Sequence, residues 1–425
     1  MSVVADLAWR GMVHQVTDER LGAKMAAEPF AVYHGIDASA DSLHVGNLLG
    51  VLALQRLQRA GHRPLVLVGG GTSLIGDPSG KATERPIRTV EEVQANAAGI
   101  RRQLERFIDF GPGPGAVLLD NADWLCTIPL TDFLRDVGKH FTVNTMMAKE
   151  SVKARLETRE QGISFTEFSY MLLQAYDYLH LYDTHDARLQ IGGSDQWGNI
   201  TAGVELVRRT RGAEVYGLTW PLLTKADGTK FGKSEEGNVW LDPARTSPYQ
   251  FFQYWVRQDD RDVGSLLRLF TDLESHRILE LEQEVAEHPE RRHAQLVLAR
   301  EVTTAVHGAA EADAAERAAQ ALFDGDITGL DEATLLDVFA EVPSADLPRA
   351  ALDDGGLELL DLLMQAGAVP SRSAARRDLE QGAIYLNNRR ESDPERRVGP
   401  GDLLAGAYVV LRRGKKSYLL VRFGE

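Results

Sequence analysis

PFAVYHGIDASADSLHVGNLLGVLALQRLQRAG, residues 29–61, decides how the first half of this chain folds. PFAVYHGID alternates like a half-buried strand, and LLGVLALQRLQRAG is apolar at helical spacing, with Gly61 as a stop signal. Strand 30–36, helix 47–60 and strand 64–69 then make a βαβ unit of ordinary length. The turn from strand to helix holds His44, Gly46 and Asn47. A helix N-terminus gathers unpaired N–H groups and the positive end of the dipole, which suits phosphate. Gly46 would let a nucleotide approach the backbone, His44 would donate to phosphate oxygens and Asn47 to a sugar hydroxyl. The plainer alternative makes Asn47 an N-cap and His44 a surface loop residue.

The alternation continues outward. VLVGGGTSLIGDP precedes a helical stretch around 90–108, GPGPG (111–115) turns into the strand AVLLD, and a helix-rich region runs to about 183. RLQIGGSDQWGN reads as strand, glycine turn and helix. This pattern predicts an α/β fold with a doubly wound, mostly parallel, Rossmann-like sheet and ligands at the carboxyl ends of its strands. Past Pro248 the texture is helical, and the last residues are short mixed elements ending in the basic hairpin YVVLRRGKKSYLLVRF. The expected division is a catalytic domain with a helical insertion over 1–222, a loop and connection over 223–247, an α-helical domain over 248–322, an acidic linker over 323–356 and a small basic α+β domain over 357–425.

A chain of 425 residues exceeds one ordinary core, and 44% hydrophobic with 26% charged residues is the balance of a soluble globular protein. No apolar run of about 18 residues could span a bilayer. MSVVADLAWRG lacks the basic start and long apolar stretch of a secretory signal, so a cytoplasmic protein without membrane attachment is expected. The single cysteine, Cys126, leaves no disulfide framework or cysteine-rich zinc site, and the eleven histidines show no paired-ligand spacing. No resident metal is expected. A net charge of −15 argues against a chain that simply coats nucleic acid. From Ser371 onward, however, 12 Lys+Arg face 7 Asp+Glu; of the chain totals of 47 and 62, that leaves 35 against 55 before it. A basic tail on an acidic body suits an enzyme carrying its own RNA-binding module, although a solvated basic surface would give the same balance.

Nucleotide motifs of the common kinds fail. GTSLIGD lacks the Lys-Ser/Thr of a phosphate loop, GDPSGKA has the wrong spacing, and GGGTSLIG does not fit GxGxxG. TKADGTKFGKSEEGN (224–238) instead presents Lys225, Lys230 and Lys233 among glycines. Such a loop suits a polyphosphate, or else is a charged surface hairpin. Tyr170, Gln174 and Asp177, spaced i, i+4 and i+7, share one helix face, either a polar surface or a binding stripe. IGGSDQWGN (191–199) puts Asp195 and Gln196 between strand and helix, where a carboxylate suits a ribose diol or merely caps a turn.

In this order the stretches resemble the bacterial-type tyrosyl-tRNA synthetases, class I aminoacyl-tRNA synthetases, over essentially the whole chain. HVGN stands in the place of the HIGH signature and KFGKS in that of KMSKS. YHGID, LVGGGTSLIGDPSGK, GKHFTVNTMMAKES, GISFTEFSYMLLQAYD, LQIGGSDQWGNI and WLDPARTSPYQFFQYW also match family stretches. The resemblance implies a tyrosine–tRNA ligase, which makes tyrosyl-adenylate and pyrophosphate from tyrosine and ATP and passes the tyrosyl group to the 3′ end of tRNA(Tyr). It implies that Tyr33 and Asp177 hold the phenol, and that Tyr170, Gln174 and Asp77 hold the ammonium group. Asp37 and Gln196 would lie by the reacting carboxylate and Asp195 by the ribose. Ser39, His44, Lys81, Arg85, Lys230 and Lys233 would meet the phosphates, with Gly35, Gly46, Asn47 and Gly193 beside the nucleotide. Mg2+ would travel with ATP without a protein cage.

SRSAARRDLEQGAIYLNN resembles a small RNA-binding domain shared with a small-subunit ribosomal protein. It implies that Arg372, Arg376 and Arg377 face a phosphate backbone, with Arg412, Arg413, Lys415 and Lys416 of the hairpin expected beside them. The family is a symmetric homodimer, and FLRDVGKHFTVNTMM resembles its interface segment. Departures from the family pattern are Asn47 for the second histidine of HIGH, His34 for a cysteine, Ala38 for a proline and Ser39 for a threonine. Two other functions stay open at this stage. One is a tryptophanyl-type enzyme or small-molecule adenylyltransferase, which the Tyr33/Asp177 pair opposes, because an indole N–H needs one acceptor whereas a phenol uses both a donor and an acceptor. The other is a non-catalytic RNA-binding paralogue, which has no need of phosphate-site lysines.

Overall fold

Among the described residues, six strands form the first sheet: β1 (Gln15–Val16), β2 (Ala31–Asp37), β3 (Arg63–Gly69), β4 (Val117–Asp120), β5 (Ala187–Gly193) and β6 (Tyr216–Trp220). The computed structural model describes every residue except 1, 78–88, 113–114, 150–151, 154–162, 227, 230, 235–236, 322–326, 341, 354, 415–416 and 425, and the side chains of 233, 234 and 321 lie outside it too. Strand order is β1-β6-β5-β2-β3-β4. All neighbours are parallel except the edge pair β1–β6. The chain builds outward from β2 through β3 to β4, then returns to place β5 and β6 on the other side. The winding therefore reverses between β2 and β5, and a crevice opens there beyond the strands' carboxyl ends. This is the doubly wound, mostly parallel sheet that the alternation predicts.

The helix Val45–Arg59 buries Leu48, Leu49, Val51, Leu52, Leu54 and Leu57, each worth about 1.5–3 kcal/mol. Its last turn also buries Arg56, which donates to the carbonyls of Leu269 (3.2 Å) and Thr271 (2.7 Å). Arg10 donates to Arg268 and Thr271 in the same place. Two guanidiniums thus cover the carbonyl end of the helix Asp260–Phe270, where orphan acceptors and the negative dipole end collect. Burial lowers the Arg56 pKa to about 10, so the group stays charged at neutral pH. The chain divides into compact units 1–245 with 258–298, and 246–257 with 299–425. The helices Asp260–Phe270 and Ser275–Glu287 therefore fall with the sheet, whereas Pro248–Val256 and Ala309–Ala321 fall in the other unit, so the stretch 248–322 is shared between the two.

The long helix Phe165–His185 starts at Ser164, which caps Glu167 N–H (3.2 Å), and ends at Asp186 in a left-handed conformation. Across its packing against the helix Trp197–Arg211, a Cβ on Gly203 would stand 2.9 Å from the Tyr178 ring, so the close approach needs glycine there. Tyr178 Oη in turn donates to the carbonyl of Tyr216 on β6 (2.7 Å). The helix is thereby fixed over the sheet with its Tyr170–Asp177 face toward the crevice.

In the second unit, a five-stranded sheet runs in the order Arg389–Arg390, Ile384–Leu386, Tyr408–Arg413, Ser417–Gly424, Ser344–Pro348. Its last pair is parallel. Part of the stretch expected as an acidic linker over 323–356 is therefore sheet. The helices Leu359–Gln365 and Arg372–Glu380 pack on this sheet around Leu359, Leu363, Leu379, Ile384 and Val421. No described helix is long and apolar enough to cross a membrane.

Candidate active site

A cavity of about 480 Å³ lies at the carboxyl ends of β2, β3 and β5. Tyr33, Gly35, Asp37, Ser39, His44, Gly46, Asn47, Asp77, Tyr170, Gln174, Asp177, Gly193, Asp195 and Gln196, all expected at the site, line it. Lys81, Arg85 and Lys230 lie outside the described residues, as does the side chain of Lys233.

At the cavity floor Asp177 is buried and doubly held. Trp124 Nε1 donates to one carboxylate oxygen (2.7 Å) and Asn121 Nδ2 to the other (3.0 Å). Burial raises the Asp177 pKa to about 7 against the opposing pull of these two donors. Two buried side-chain atoms lining the cavity lack a partner among the described residues: Tyr33 Oη and Gln190 Oε1. They sit on register partners of β2 and β5. An orphaned buried polar atom costs about 1–3 kcal/mol, so this floor is built to receive a polar group.

Above the floor, acids meet amides. Tyr170 Oη donates to Asp37 (3.2 Å), which also accepts from Thr72 Oγ1 (2.9 Å). Gln196 Nε2 donates to Asp77 (2.7 Å), and Asn199 Nδ2 donates to Gln174 Oε1 (2.9 Å). Burial, and after it the neighbouring Asp77, raises the Asp195 pKa. Crowded carboxylates of this kind favour a cation among them. His34, also lining the cavity, donates from Nδ1 to Ile191 O (3.1 Å) and is held neutral by burial, with its pKa lowered to about 4.

The HVGN turn differs from the sequence expectation in one respect. Its N–H groups are already taken: Val45 N–H by Val239 O (2.9 Å), Gly46 N–H by His44 Nδ1 (3.0 Å) and Asn47 N–H by His44 O (2.8 Å). Asn47 Oδ1 accepts from His44 N–H (3.1 Å), completing a capping box. The backbone is therefore satisfied, and any ligand must be met by side chains. Because Nδ1 accepts, the neutral His44 ring carries its proton on Nε2, and Asn47 retains its NH2 donors. Gly46 is needed for this geometry, since a Cβ there would stand 2.8 Å from the His44 ring.

Residues 25–324 match the family of class I tRNA synthetases (W and Y), and residues 337–421 match the tyrosine–tRNA ligase SYY-like C-terminal domain. The tyrosine–tRNA ligase of Roseiflexus castenholzii is 54% identical over 99% of both chains. This chain belongs to the tyrosine–tRNA ligase family. The Geobacillus stearothermophilus tyrosine–tRNA ligase is 52% identical over 100% of both chains. A C-terminally truncated mitochondrial tyrosyl-tRNA synthetase of Aspergillus nidulans has the same fold, with a TM-score of 0.68 at 32% identity over 76% of this chain and 94% of that one. As a tyrosine–tRNA ligase family member, the chain is neither a tryptophanyl-type enzyme nor a non-catalytic paralogue.

Asn121, Trp124, Thr72 and Gln190 were not singled out from the sequence of this ligase family member, although all but Trp124 line the cavity. In the C-terminal sheet Arg412 is buried, its guanidinium 3.8 Å from the Tyr385 ring centroid. Arg413 pairs with Asp378 (2.8 Å) and Arg372 with Asp361 (2.6 Å) and Glu358. Arg376 and Arg377 are exposed and make no ion pair among the described residues. Lys415 and Lys416 lie outside those residues.

Asn47 caps the helix through Oδ1 and keeps its NH2 as a donor, and these two groups set the expected size of its effect. Asn47→Ala removes a cap and one neutral hydrogen bond of about 0.5–1.5 kcal/mol, which slows adenylate formation about threefold to tenfold. Asn47→His stays within a few-fold of the starting enzyme. Single-turnover adenylate formation at saturating tyrosine measures both. A silent Asn47→Ala beside a crippled Asn47→His would reduce Asn47 to a cap.

Proposed function

We propose that this cavity activates tyrosine with the residues described above. Tyr33 and Asp177 take the phenol, Tyr33 donating to it and Asp177 accepting from it. Asp77, Tyr170 and Gln174 take the ammonium group, supported by Asp37. Gln196 and Asp37 flank the carboxylate, and Asp195 beside Gly193 takes the ribose of ATP. Asn47 donates to the same nucleotide, while Ser39 and His44 meet its phosphates. Lys81, Lys230 and Lys233 complete the phosphate site on the strength of the motif matches, and Arg85 on that of the family resemblance. The substrate carboxylate attacks the α-phosphorus, and the bond to the β,γ-phosphates breaks to release pyrophosphate. Because the nucleophile belongs to the substrate, catalysis comes from positioning and from charge stabilisation on the leaving phosphates. Mg2+ enters as the counterion of ATP. The tyrosyl group then passes to the 3′ end of tRNA(Tyr) in the cytoplasm, with the helix Arg372–Glu380 of the C-terminal region holding the tRNA through Arg376 and Arg377.

The observation that carries this reading is the orphaned Tyr33 hydroxyl in the same cavity as a doubly oriented Asp177 carboxylate. A phenol supplies the acceptor and the donor that the pair lacks. A homodimer is proposed through the segment 133–147, where Leu134, Val143 and Met147 are exposed. Tyrosine-dependent ATP–pyrophosphate exchange, run beside phenylalanine and tryptophan, tests the reading, and equal exchange with all three would defeat it. Lys233→Ala should slow activation about 10²-fold with little change in tyrosine affinity. Weakened tyrosine binding with a normal activation rate would contradict that role.

A further inference from the structure

The HVGN turn and the KFGKS loop meet at the backbone of one residue. Val239 O accepts the N–H of Val45 at 2.9 Å, and Val239 N–H donates to Gly232 O at 3.1 Å. Gly232 lies against the turn: a Cβ on it would stand 3.2 Å from Gly46 N, and its φ is +86°. The next residue, Trp240, forms an antiparallel bridge with His44, and Leu241 N–H donates to Leu43 O (2.8 Å). Residues 239–241 are thus laced to both motifs by backbone bonds.

Trp240 uses that fixed position. Its ring meets the His44 imidazole in a tilted-edge contact, with centroids 5.9 Å apart and planes at 66°. The Arg245 guanidinium stacks 3.6 Å from the Trp240 ring centroid and reaches Asp41 at 2.6 Å. Asp41 belongs to the loop that enters the HVGN turn, so the chain of contacts closes on itself. The His44 ring has a second restraint, the Gly46 N–H on its Nδ1. Together they hold the plane of the ring, and with it the direction of Nε2. Trp240 is not among the residues lining the cavity, so it acts on the reaction through another group.

We propose that Trp240, backed by Arg245 and Asp41, is a positioning residue for adenylate formation and works by holding the His44 ring. It deepens the reading of His44 as a phosphate-binding group and rests on that reading. Small misplacements of a reacting or stabilising group have large kinetic effects, about 10²-fold for 1 Å. A packing role alone would instead lower tyrosine affinity, activation rate and stability together.

Single-turnover adenylate formation at saturating tyrosine, with tyrosine Kd measured separately on the full chain, tests the proposal. Trp240→Leu is expected to slow adenylate formation about tenfold and leave tyrosine Kd within about twofold, while Trp240→Phe, which keeps a ring, recovers most of the rate. In a His44→Ala background, Trp240→Leu should cost about twofold or less, because the group it positions is gone. Effects that multiply in the double variant overturn the proposal, as does a normal rate in Trp240→Leu. If Trp240→Leu does not fold, Arg245→Gln decides, since that side chain is 36% exposed. It should slow activation about threefold with tyrosine Kd unchanged, and an unchanged rate overturns the proposal. A normal rate in His44→Ala alone would instead remove the reading of His44, and the proposal with it.

Discussion

Asp177→Ala is expected to lower kcat/KM for tyrosine about 10³-fold while leaving the use of phenylalanine nearly unchanged. In the proposed role the carboxylate gives the phenol a charge-assisted hydrogen bond worth about 1.5–3 kcal/mol. Its removal also strands Trp124 Nε1 and Asn121 Nδ2, which now donate to it at 2.7 and 3.0 Å. Those donors find water in the empty variant and lose it when tyrosine enters, a further cost of about 1–3 kcal/mol. Roughly 4 kcal/mol at 1.36 per decade gives the stated factor. Phenylalanine makes no use of the bond, and for it the stranding of the two donors is offset because no unpaired carboxylate is left buried beside the ring, so discrimination shrinks from the tyrosine side. Tyr33→Phe removes a neutral donor and should cost about tenfold or less.

The same residue predicts a pH profile. With the Asp177 pKa raised to about 7, much of it is protonated in the empty cavity below neutrality. The phenol donates to the carboxylate form, so kcat/KM for tyrosine should rise with pH through about 7 and level off above it. Asp177→Asn should lose this step. A flat wild-type profile across that range, with an unimpaired Asp177→Ala, would move the specificity pocket elsewhere.

Most of this site was legible because its residues announce themselves by type and spacing. Tyr170, Gln174 and Asp177 share a helix face by the period of 3.6, and that face does line the cavity. The HVGN turn was placed by the change from strand to helix periodicity. What the sequence could not give were contacts between distant segments. Asn121 and Trp124 follow the strand β4 and come under Asp177 only once β4 lies beyond β3 in the sheet. Gln190 carried a weak signal, a polar residue inside the buried run RLQIGG at the register of Tyr33. The expectation of unpaired N–H groups at the HVGN turn fails for a related reason. Val239, nearly two hundred residues on, takes one of them. The edge strand β1 was missed because two residues carry no period. The strand Ser344–Pro348 was missed because alanine, acid and proline read as linker until Ser417–Gly424 pairs with it.

That strand decides where the chain can be cut. Ending it at Asp353 would keep Ser344–Pro348 without its only described sheet partner, Ser417–Gly424. Ending it at Ala340 instead removes the whole five-stranded sheet. Every described residue lining the cavity lies at or before Phe231, and the proposed phosphate-site lysines end at Lys233, so tyrosine-dependent ATP–pyrophosphate exchange should stay within about twofold. Transfer to tRNA should fall about 10³-fold, since the two arginine–phosphate bonds proposed for Arg376 and Arg377 would alone be worth about 3–6 kcal/mol. The full chain's affinity for tRNA should weaken steeply with added salt as counterions return to the phosphates, and the truncated chain's salt dependence should be shallower. Arg376→Ala with Arg377→Ala should reproduce much of the loss in the full chain, whereas Arg412→Ala should mainly destabilise the sheet, because its guanidinium is buried against Tyr385. Undiminished charging by the chain ended at Ala340 would show that the body alone grips the tRNA.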